Sequence, residues 1–139
     1  MVIDMSQKIA MTGSLRWEDK TKIKNTIFSL KKRFGKEREI VCGGLNTGAD
    51  LEIKKTCMEF EIEYYEMPPY NYQWNSHCME PAYMYGKQYN SSYIYMRNEK
   101  LAKECSVLVL FMLTEDTANH INHLMQRFDS KSKKILVIN

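Results

Sequence analysis

The stretch that decides the fold is residues 40–50, which read IVCGGLNTGAD. Its apolar start predicts a buried strand, and the apolar residues from Ala49 to Phe60 then recur at helical steps of three or four. Glycines between a strand and a helix allow positive φ and bring backbone N–H groups close to an anion. Asn46 or Thr47 would cap the helix. The turn is therefore either a phosphate site or an ordinary strand-to-helix turn that needs glycine only for its shape.

Length and composition predict a single domain, residues 1–139, that is large enough to bury a core. The chain is 44% hydrophobic and 27% charged, which is typical of a soluble globular protein. It has no apolar run near the ~20 residues that span a bilayer. Residues 1–8 lack a signal-peptide core, so we expect a cytoplasmic protein. The net charge of +3 is too small to indicate nucleic acid by itself.

Alternating strands and helices predict an α/β protein with a mostly parallel five-stranded sheet and helices on both faces. The predicted strands are residues 8–14, 39–42, 61–66, 106–111 and 134–138. Four helices are predicted. The first has the apolar face Ile23, Ile27, Leu30 and Phe34 and is ended by Gly35. The second runs from Ala49 to Phe60, and the other two cover residues 88–104 and 117–128.

Ligands of such sheets bind beyond the carboxyl ends of the strands. The turns at residues 12–17, 43–50 and 112–117 should therefore share one cleft. Residues 67–87, here called the aromatic loop, should lie over it, and they include Tyr70 and Trp74. The loop is either a lid whose rings stack on a base or a surface that packs against a second copy of the chain.

Three short motifs follow one another along the chain, namely Thr12-Gly13-Ser14-x-x-Trp17, Gly43-Gly44-x-x-x-Gly48-Ala49-Asp50 and Arg97-Asn98-x-x-Leu101. Together they resemble the SLOG superfamily, and within it the branch related to YpsA. The superfamily also holds the Lonely Guy phosphoribohydrolases, the DNA-processing protein DprA and sensor domains for nucleotide-derived signals. The resemblance implies a Rossmann-like three-layer sandwich that binds a nucleotide or nucleotide-sugar.

The resemblance also implies roles for individual residues. Arg97 and Asn98 would face the ligand phosphates from the start of a helix, and a guanidinium can fork onto phosphate oxygens. Asp50 would either accept from a ribose hydroxyl or orient its turn, and Trp17 would either line the cleft or anchor the first helix. The candidate ligand-binding residues are Thr12, Gly13, Ser14, Trp17, Gly43, Gly44, Gly48, Asp50, Tyr70, Trp74, Arg97, Asn98 and Thr117.

The turn after the fourth strand departs from the family pattern, which is Pro-Gly-Gly-x-Gly-Thr with a catalytic Glu three residues later in the hydrolases. This chain reads MLTEDT at 112–117, so only Thr117 matches, and the Glu position falls on His120. The departure disfavours Lonely Guy-type hydrolysis. If the chain is an enzyme, the candidate catalytic residues are Glu115 and, as a general base, His120. Of the candidate carboxylates Glu66, Glu80, Glu99, Glu115 and Asp116, most should be solvated.

Metal chemistry has little support in the sequence. The four cysteines are far apart and form no Cys-x-x-Cys pair. His120 and His123 lie one helical turn apart, as metal ligands can, but no third ligand is indicated. We predict neither a metal site nor a cofactor.

Three functions follow from these observations. The first is binding of a nucleotide or nucleotide-derived small ligand, to sense or sequester a signal such as an ADP-ribose or cyclic nucleotide species. The second is a hydrolase that cleaves an N-glycosidic or phosphoester bond. The third is DprA-like DNA binding, which the lack of a concentrated basic stripe disfavours. A nucleotide ligand and a homo-oligomer are the expected partners, whereas nucleic acid and a membrane are not.

Overall fold

The computed structural model describes residues 8–34 and 39–139, in which strands and helices alternate. The strands are β1 (Lys8–Gly13), β2 (Glu39–Cys42), β3 (Tyr64–Glu66), β4 (Val107–Phe111) and β5 (Lys134–Ile138). The helices are α1 (Lys20–Phe34), α2 (Gly48–Glu59), α3 (Tyr93–Glu104) and α4 (Asn119–Ser130). Gly35, which was expected to end the first helix, lies outside the described residues, as do residues 1–7.

The five strands form one sheet in the order β3-β2-β1-β4-β5, and every pairing among them is parallel. β1 is central, with Ala10 aligned with Val41 of β2 on one side and with Leu108 of β4 on the other. The chain leaves β1 toward one edge and returns to its other side with β4. The carboxyl ends of β1 and β4 therefore form the topological switch point.

Helices cover both faces of the sheet. On one face Ile23 of α1 and Ile53 of α2 pack with Met11 of β1, and on the other Leu101 of α3 and Leu124 of α4 close a second core. A sheet buried on both faces explains why β4 is an uninterrupted apolar run. The α/β class and the Rossmann-like three-layer sandwich are confirmed. Within the described ranges, no helix combines the length and apolar composition that a membrane span needs.

The predicted start of the third strand is wrong, because β3 begins at Tyr64 rather than at Glu61. Glu61 adopts the left-handed conformation, with φ of 55°. The N–H of Ile62 then donates to the carbonyl of Cys57 over 2.8 Å, which closes the end of α2. These residues terminate a helix, although their alternating pattern is that of a strand.

Candidate functional site

Hydrogen bonds at Ser14 join the turns that follow β1 and β4. The Ser14 N–H donates to the Phe111 carbonyl over 2.8 Å, and the Leu113 N–H donates to Ser14 Oγ over 3.0 Å. Gly13 makes this approach possible, since a Cβ there would lie 2.0 Å from the Phe111 carbonyl oxygen. The two turns at the switch point are thus in direct contact.

Asp116 completes this junction. Its Oδ2 accepts a hydrogen bond from the Ser14 hydroxyl over 2.5 Å, and its Oδ1 accepts from the Ala118 N–H over 2.9 Å. The second bond forms a turn just before α4, so Thr117 precedes the helix that it was predicted to begin. A cavity of about 280 Å³ borders the junction and is lined by Ser14, Leu15, Arg16, Leu113, Glu115, Asp116, Thr117 and Ala118.

A buried pair of opposite charges, Asp50 and Arg97, lies on either side of Gly43. Their side chains are 1% and 2% exposed. A Cβ at Gly43 would lie 2.7 Å from Asp50 Oδ2 and 2.8 Å from Arg97 Nη1, so no larger residue fits there. Arg97 Nη1 donates to the Gly43 carbonyl over 2.6 Å, and Nε donates to Asn98 Oδ1 over 3.0 Å. The guanidinium is therefore held by groups of the protein itself.

Burial sets the electrostatics of this pair. Burial raises the pKa of Asp50, while the Arg97 charge and a hydrogen bond from Thr12 oppose the shift. Burial likewise lowers the pKa of Arg97, and the Asp50 charge opposes that shift. Asp50 Oδ2 also accepts from the Leu45 N–H over 3.2 Å, so the carboxylate organises the turn that follows β2. Each charge is tolerated in the interior because the other is near.

Several N–H groups of the segment between β2 and the start of α2 have hydrogen-bond partners within the protein. Gly43 donates to the Met11 carbonyl over 3.2 Å, and Ala49, at the start of α2, donates to the Ser14 carbonyl over 3.1 Å. Gly48 has φ of 61°, and a Cβ there would lie 2.4 Å from the Ser14 carbonyl oxygen. These contacts favour the interpretation in which the glycines serve the shape of the turn and its close approach to β1.

His120, in the first turn of α4, faces the same edge of the sheet. Burial lowers the pKa of its imidazole, the Arg97 charge lowers it further, and the Asp116 charge opposes the shift. The imidazole is therefore neutral at pH 7 and can accept a hydrogen bond. Asn98 Nδ2 donates to the His120 carbonyl over 2.8 Å and so fixes α4 against α3.

The other histidine of the predicted pair, His123, already has partners. Its Nδ1 lies 3.2 Å from Asn98 Nδ2, and its Nε2 lies 3.5 Å from Glu99 Oε1. In the described part of the chain, no three His, Cys, Asp or Glu side chains are grouped as metal ligands would be.

The aromatic loop is fastened to β2 and β3. The Met67 N–H donates to the Cys42 carbonyl over 3.0 Å. Glu66 is 1% exposed, and its carboxylate contacts Lys54 Nζ at 2.7 Å and Asn75 Nδ2 at 2.5 Å. Glu66 is therefore an exception to the expectation that most of the candidate carboxylates are solvated. This ion pair ties the loop to α2, and nothing in the sequence marked Lys54 for that role.

A cavity of about 510 Å³ lies between the β2–α2 turn and the aromatic loop, a size typical of small-ligand sites. Trp74 is 47% exposed and forms part of its wall. Four carboxamide side chains border the same space. The lining residues are Gly44, Asn46, Lys54, Pro68, Asn71, Tyr72, Gln73, Trp74 and Asn75.

Two of the predicted ligand-binding aromatics are packed inside the protein. Tyr70 is buried, its hydroxyl donates to Glu80 over 3.0 Å, and Lys100 Nζ lies 2.7 Å from the same carboxylate. Trp17 packs on Phe111, and its Nε1 donates to the Asp19 carbonyl just before α1. Trp17 therefore anchors the first helix, and neither ring lines the two cavities described above.

The remaining predicted site residues lie at the carboxyl edge of the sheet, but the three turns border two cavities with no lining residue in common, not the one cleft that was predicted. These residues are Thr12, Gly13, Ser14, Gly43, Gly44, Gly48, Asp50, Trp74, Arg97, Asn98, Glu115, Thr117 and His120. Contact of any of them with a ligand stays a prediction. The central role of Asp116 was missed, although an Asp three residues before the first residue of a helix, here Asn119, is a typical turn signal.

Comparison with known proteins finds similarity at the level of the fold only. No protein-family model and no curated protein sequence matches the chain. Among solved structures, the molybdenum cofactor binding protein from the phototrophic bacterium Rippkaea orientalis matches with a TM-score of 0.67 and 12% sequence identity. The match covers 95% of this chain and 76% of that one. At this identity the similarity establishes a shared Rossmann-like fold.

Proposed function

We propose that this protein binds a nucleotide or nucleotide-derived small ligand at the carboxyl edge of its sheet. The observation that carries the proposal is the cavity between the β2–α2 turn and the aromatic loop. Trp74 offers an exposed indole face on which a planar base can stack. The carboxamides of Asn46, Asn71 and Gln73 can both donate to and accept from the edge of such a base.

Two further lines support ligand binding at this edge. Parallel α/β sheets bind ligands beyond the carboxyl ends of their strands, and the cavity lies there. The three sequence motifs resemble the SLOG superfamily, and the structurally similar R. orientalis protein is described as a cofactor-binding protein. The finer proposal, that the ligand is a signal such as an ADP-ribose or cyclic nucleotide species to be sensed or sequestered, comes from the SLOG resemblance.

A hydrolase is the second candidate, and His120 is the observation that favours it. Its neutral imidazole lies near the charges of Arg97 and Asp116, which is a suitable setting for a general base. Glu115 is exposed in the adjoining turn and accepts only from the neighbouring Thr114 hydroxyl among the described contacts. Conversion of a bound nucleotide would be lost in His120→Gln if this candidate is right.

Ligand retention tests the proposal directly. The purified protein is incubated with nucleotides, ADP-ribose derivatives and cyclic nucleotides, separated from free ligand and denatured, and the released compounds are identified. An intact compound at stoichiometric amounts supports binding. Release of a free base or another cleavage product supports the hydrolase. If nothing is retained or converted, the nucleotide proposal is wrong.

Trp74→Ala tests the position of the site. Loss of a base–aromatic stack costs about 1–3 kcal/mol, so affinity should fall roughly 5- to 150-fold. Tyr83→Ala is the matched control, because Tyr83 belongs to the same loop, is 78% exposed and does not line the cavity. Equal losses in the two variants would contradict the placement of the base. Since Trp17 is buried in the core, quenching of tryptophan fluorescence by ligand should also disappear in Trp74→Ala.

A further inference from the structure

The switch point of this fold already contains an anion, the side chain of Asp116. A ligand phosphate at such a place accepts hydrogen bonds from backbone N–H groups before a helix and from nearby hydroxyls. Asp116 accepts these two kinds of bond itself, with Oδ1 on the Ala118 N–H and Oδ2 on the Ser14 hydroxyl. The carboxylate thus makes the contacts that a bound phosphate would make.

The donors around the junction have protein partners. The Ser14 hydroxyl gives its proton to Asp116, and its oxygen accepts from the Leu113 N–H over 3.0 Å. The Ser14 N–H is bonded to the Phe111 carbonyl. A phosphate arriving here would have to displace Asp116 from these donors. It would also meet the negative charge of the displaced side chain, which repels it at close range.

We infer that Asp116 is a built-in substitute for a ligand phosphate, and that it excludes phosphate groups from the junction of the β1 and β4 turns. The proposed nucleotide, whose cavity beside Trp74 shares no lining residue with the cavity at this junction, would keep its phosphates away from Asp116. The identity of the ligand as nucleotide-derived rests on the proposed function. The role of Asp116 rests only on the hydrogen bonds of the junction.

Inorganic phosphate is the probe for this role. It is titrated into isotope-labelled wild-type protein and Asp116→Gly while the backbone amide signals of Leu113 and Ala118 are followed by NMR. Glu115→Gln is the matched control, because it removes one negative charge from the same turn and leaves the Ser14 junction intact. Wild type and Glu115→Gln should show no saturable binding. Asp116→Gly should bind phosphate saturably, with an affinity at least about tenfold above the upper limit set by Glu115→Gln, since the Ser14 hydroxyl and the Ala118 N–H no longer donate to Asp116.

Asp116→Ser provides the same test if the glycine variant does not fold, since serine leaves room for the anion and keeps a turn-forming hydroxyl. Saturable phosphate binding by the wild type at these amides would overturn the inference. The inference would also be overturned if neither Asp116→Gly nor Asp116→Ser bound phosphate more tightly than Glu115→Gln does. The nucleotide panel is a separate experiment: a protein that retains no nucleotide, but gains phosphate binding on loss of Asp116, refutes the proposed function alone.

Discussion

Arg97→Met will measure how far the buried charge pair of Asp50 and Arg97 supports the fold. The substitution removes the hydrogen bonds to the Gly43 carbonyl and Asn98 Oδ1, and it leaves the Asp50 carboxylate, 1% exposed, without its neighbouring positive charge. Removal of one member of a buried charge pair costs about 3–5 kcal/mol, and we expect about 3 because no direct salt bridge joins these two groups. For a chain of 139 residues this lowers Tm by about 10 °C.

The loss of stability in Arg97→Met should depend on pH. Burial already raises the pKa of Asp50, and without the opposing charge of Arg97 it rises further. The folded state then holds a proton more tightly than the unfolded state, so stability falls as pH rises from about 4, the unfolded value, through the folded pKa. Urea denaturation at pH 5 and pH 8 should give a smaller loss at pH 5.

Two variants complete this experiment. Arg127→Met is the control, since Arg127 pairs with Glu99 at the surface over 3.1 Å and should contribute less than about 1 kcal/mol. The double variant Asp50→Asn with Arg97→Met should regain part of the lost stability, because no unpaired charge remains buried. The reasoning would be refuted if Arg97→Met lost no more stability than Arg127→Met. It would also be refuted if the stability lost in Arg97→Met were the same at pH 5 and pH 8.

Three other positions give sharp predictions. Gly13→Ala should cost about 3 kcal/mol or more in urea denaturation, since its Cβ would lie 2.0 Å from the Phe111 carbonyl oxygen. Glu66→Gln should cost about 1–3 kcal/mol by weakening the contact with Lys54, and proteolysis of the aromatic loop should become faster. Burial lowers the pKa of the His120 imidazole, so its protonation favours the unfolded state. The free energy of unfolding should therefore fall as pH falls below about 6.5, the unfolded value. His120→Gln should lose less stability than the wild type between pH 7 and pH 5.

Controls for these three use the same chain. Gly86→Ala meets open space at φ of 74° and should cost only about 1–2 kcal/mol, as expected for strain without a clash. Glu63→Gln alters an exposed carboxylate whose one described hydrogen bond is with the Tyr65 hydroxyl. The aromatic loop of this variant should therefore be as resistant to proteolysis as that of the wild type. The first prediction would be contradicted if Gly13→Ala and Gly86→Ala lost equal stability. The second would be contradicted if the loop were cleaved equally fast in Glu66→Gln and Glu63→Gln. The third would be contradicted if His120→Gln lost as much stability as the wild type between pH 7 and pH 5.

Apolar patterning was sufficient to predict most of the fold. The predicted limits of β2 and β5 agree with the structure, and the parallel sheet follows from the alternation of strands and helices. The third helix shows where patterning fails, because it begins at Tyr93 and not at Gln88. The Asn90 side chain accepts from both the N–H and the hydroxyl of Ser92 and holds a turn there. Such local bonds leave no trace in apolar periodicity.

The candidate site could be predicted as a place but not as a set of contacts. Parallel strands end at one edge, so the three turns had to meet. The partners within that edge are far apart in sequence: Arg97 donates to a carbonyl 54 residues away, and Ser14 donates to a carboxylate 102 residues away. A sequence shows that a residue carries charge, but it does not show whether the partner is a ligand or another part of the protein.

The central position of β1 has a consequence for biosynthesis. Among the described strands, β1 is synthesised first. Its partner β4 lies about 100 residues further along the chain, since Ala10 pairs with Leu108. At ribosomal speeds of about 5–20 residues per second, one edge of β1 stays unpaired for roughly 5–20 seconds. An apolar strand edge that waits this long is a binding site for chaperones and a nucleus for aggregation. Fusions truncated before β4 should therefore remain chaperone-bound or aggregate, and yield should improve when translation through residues 14–106 is fast.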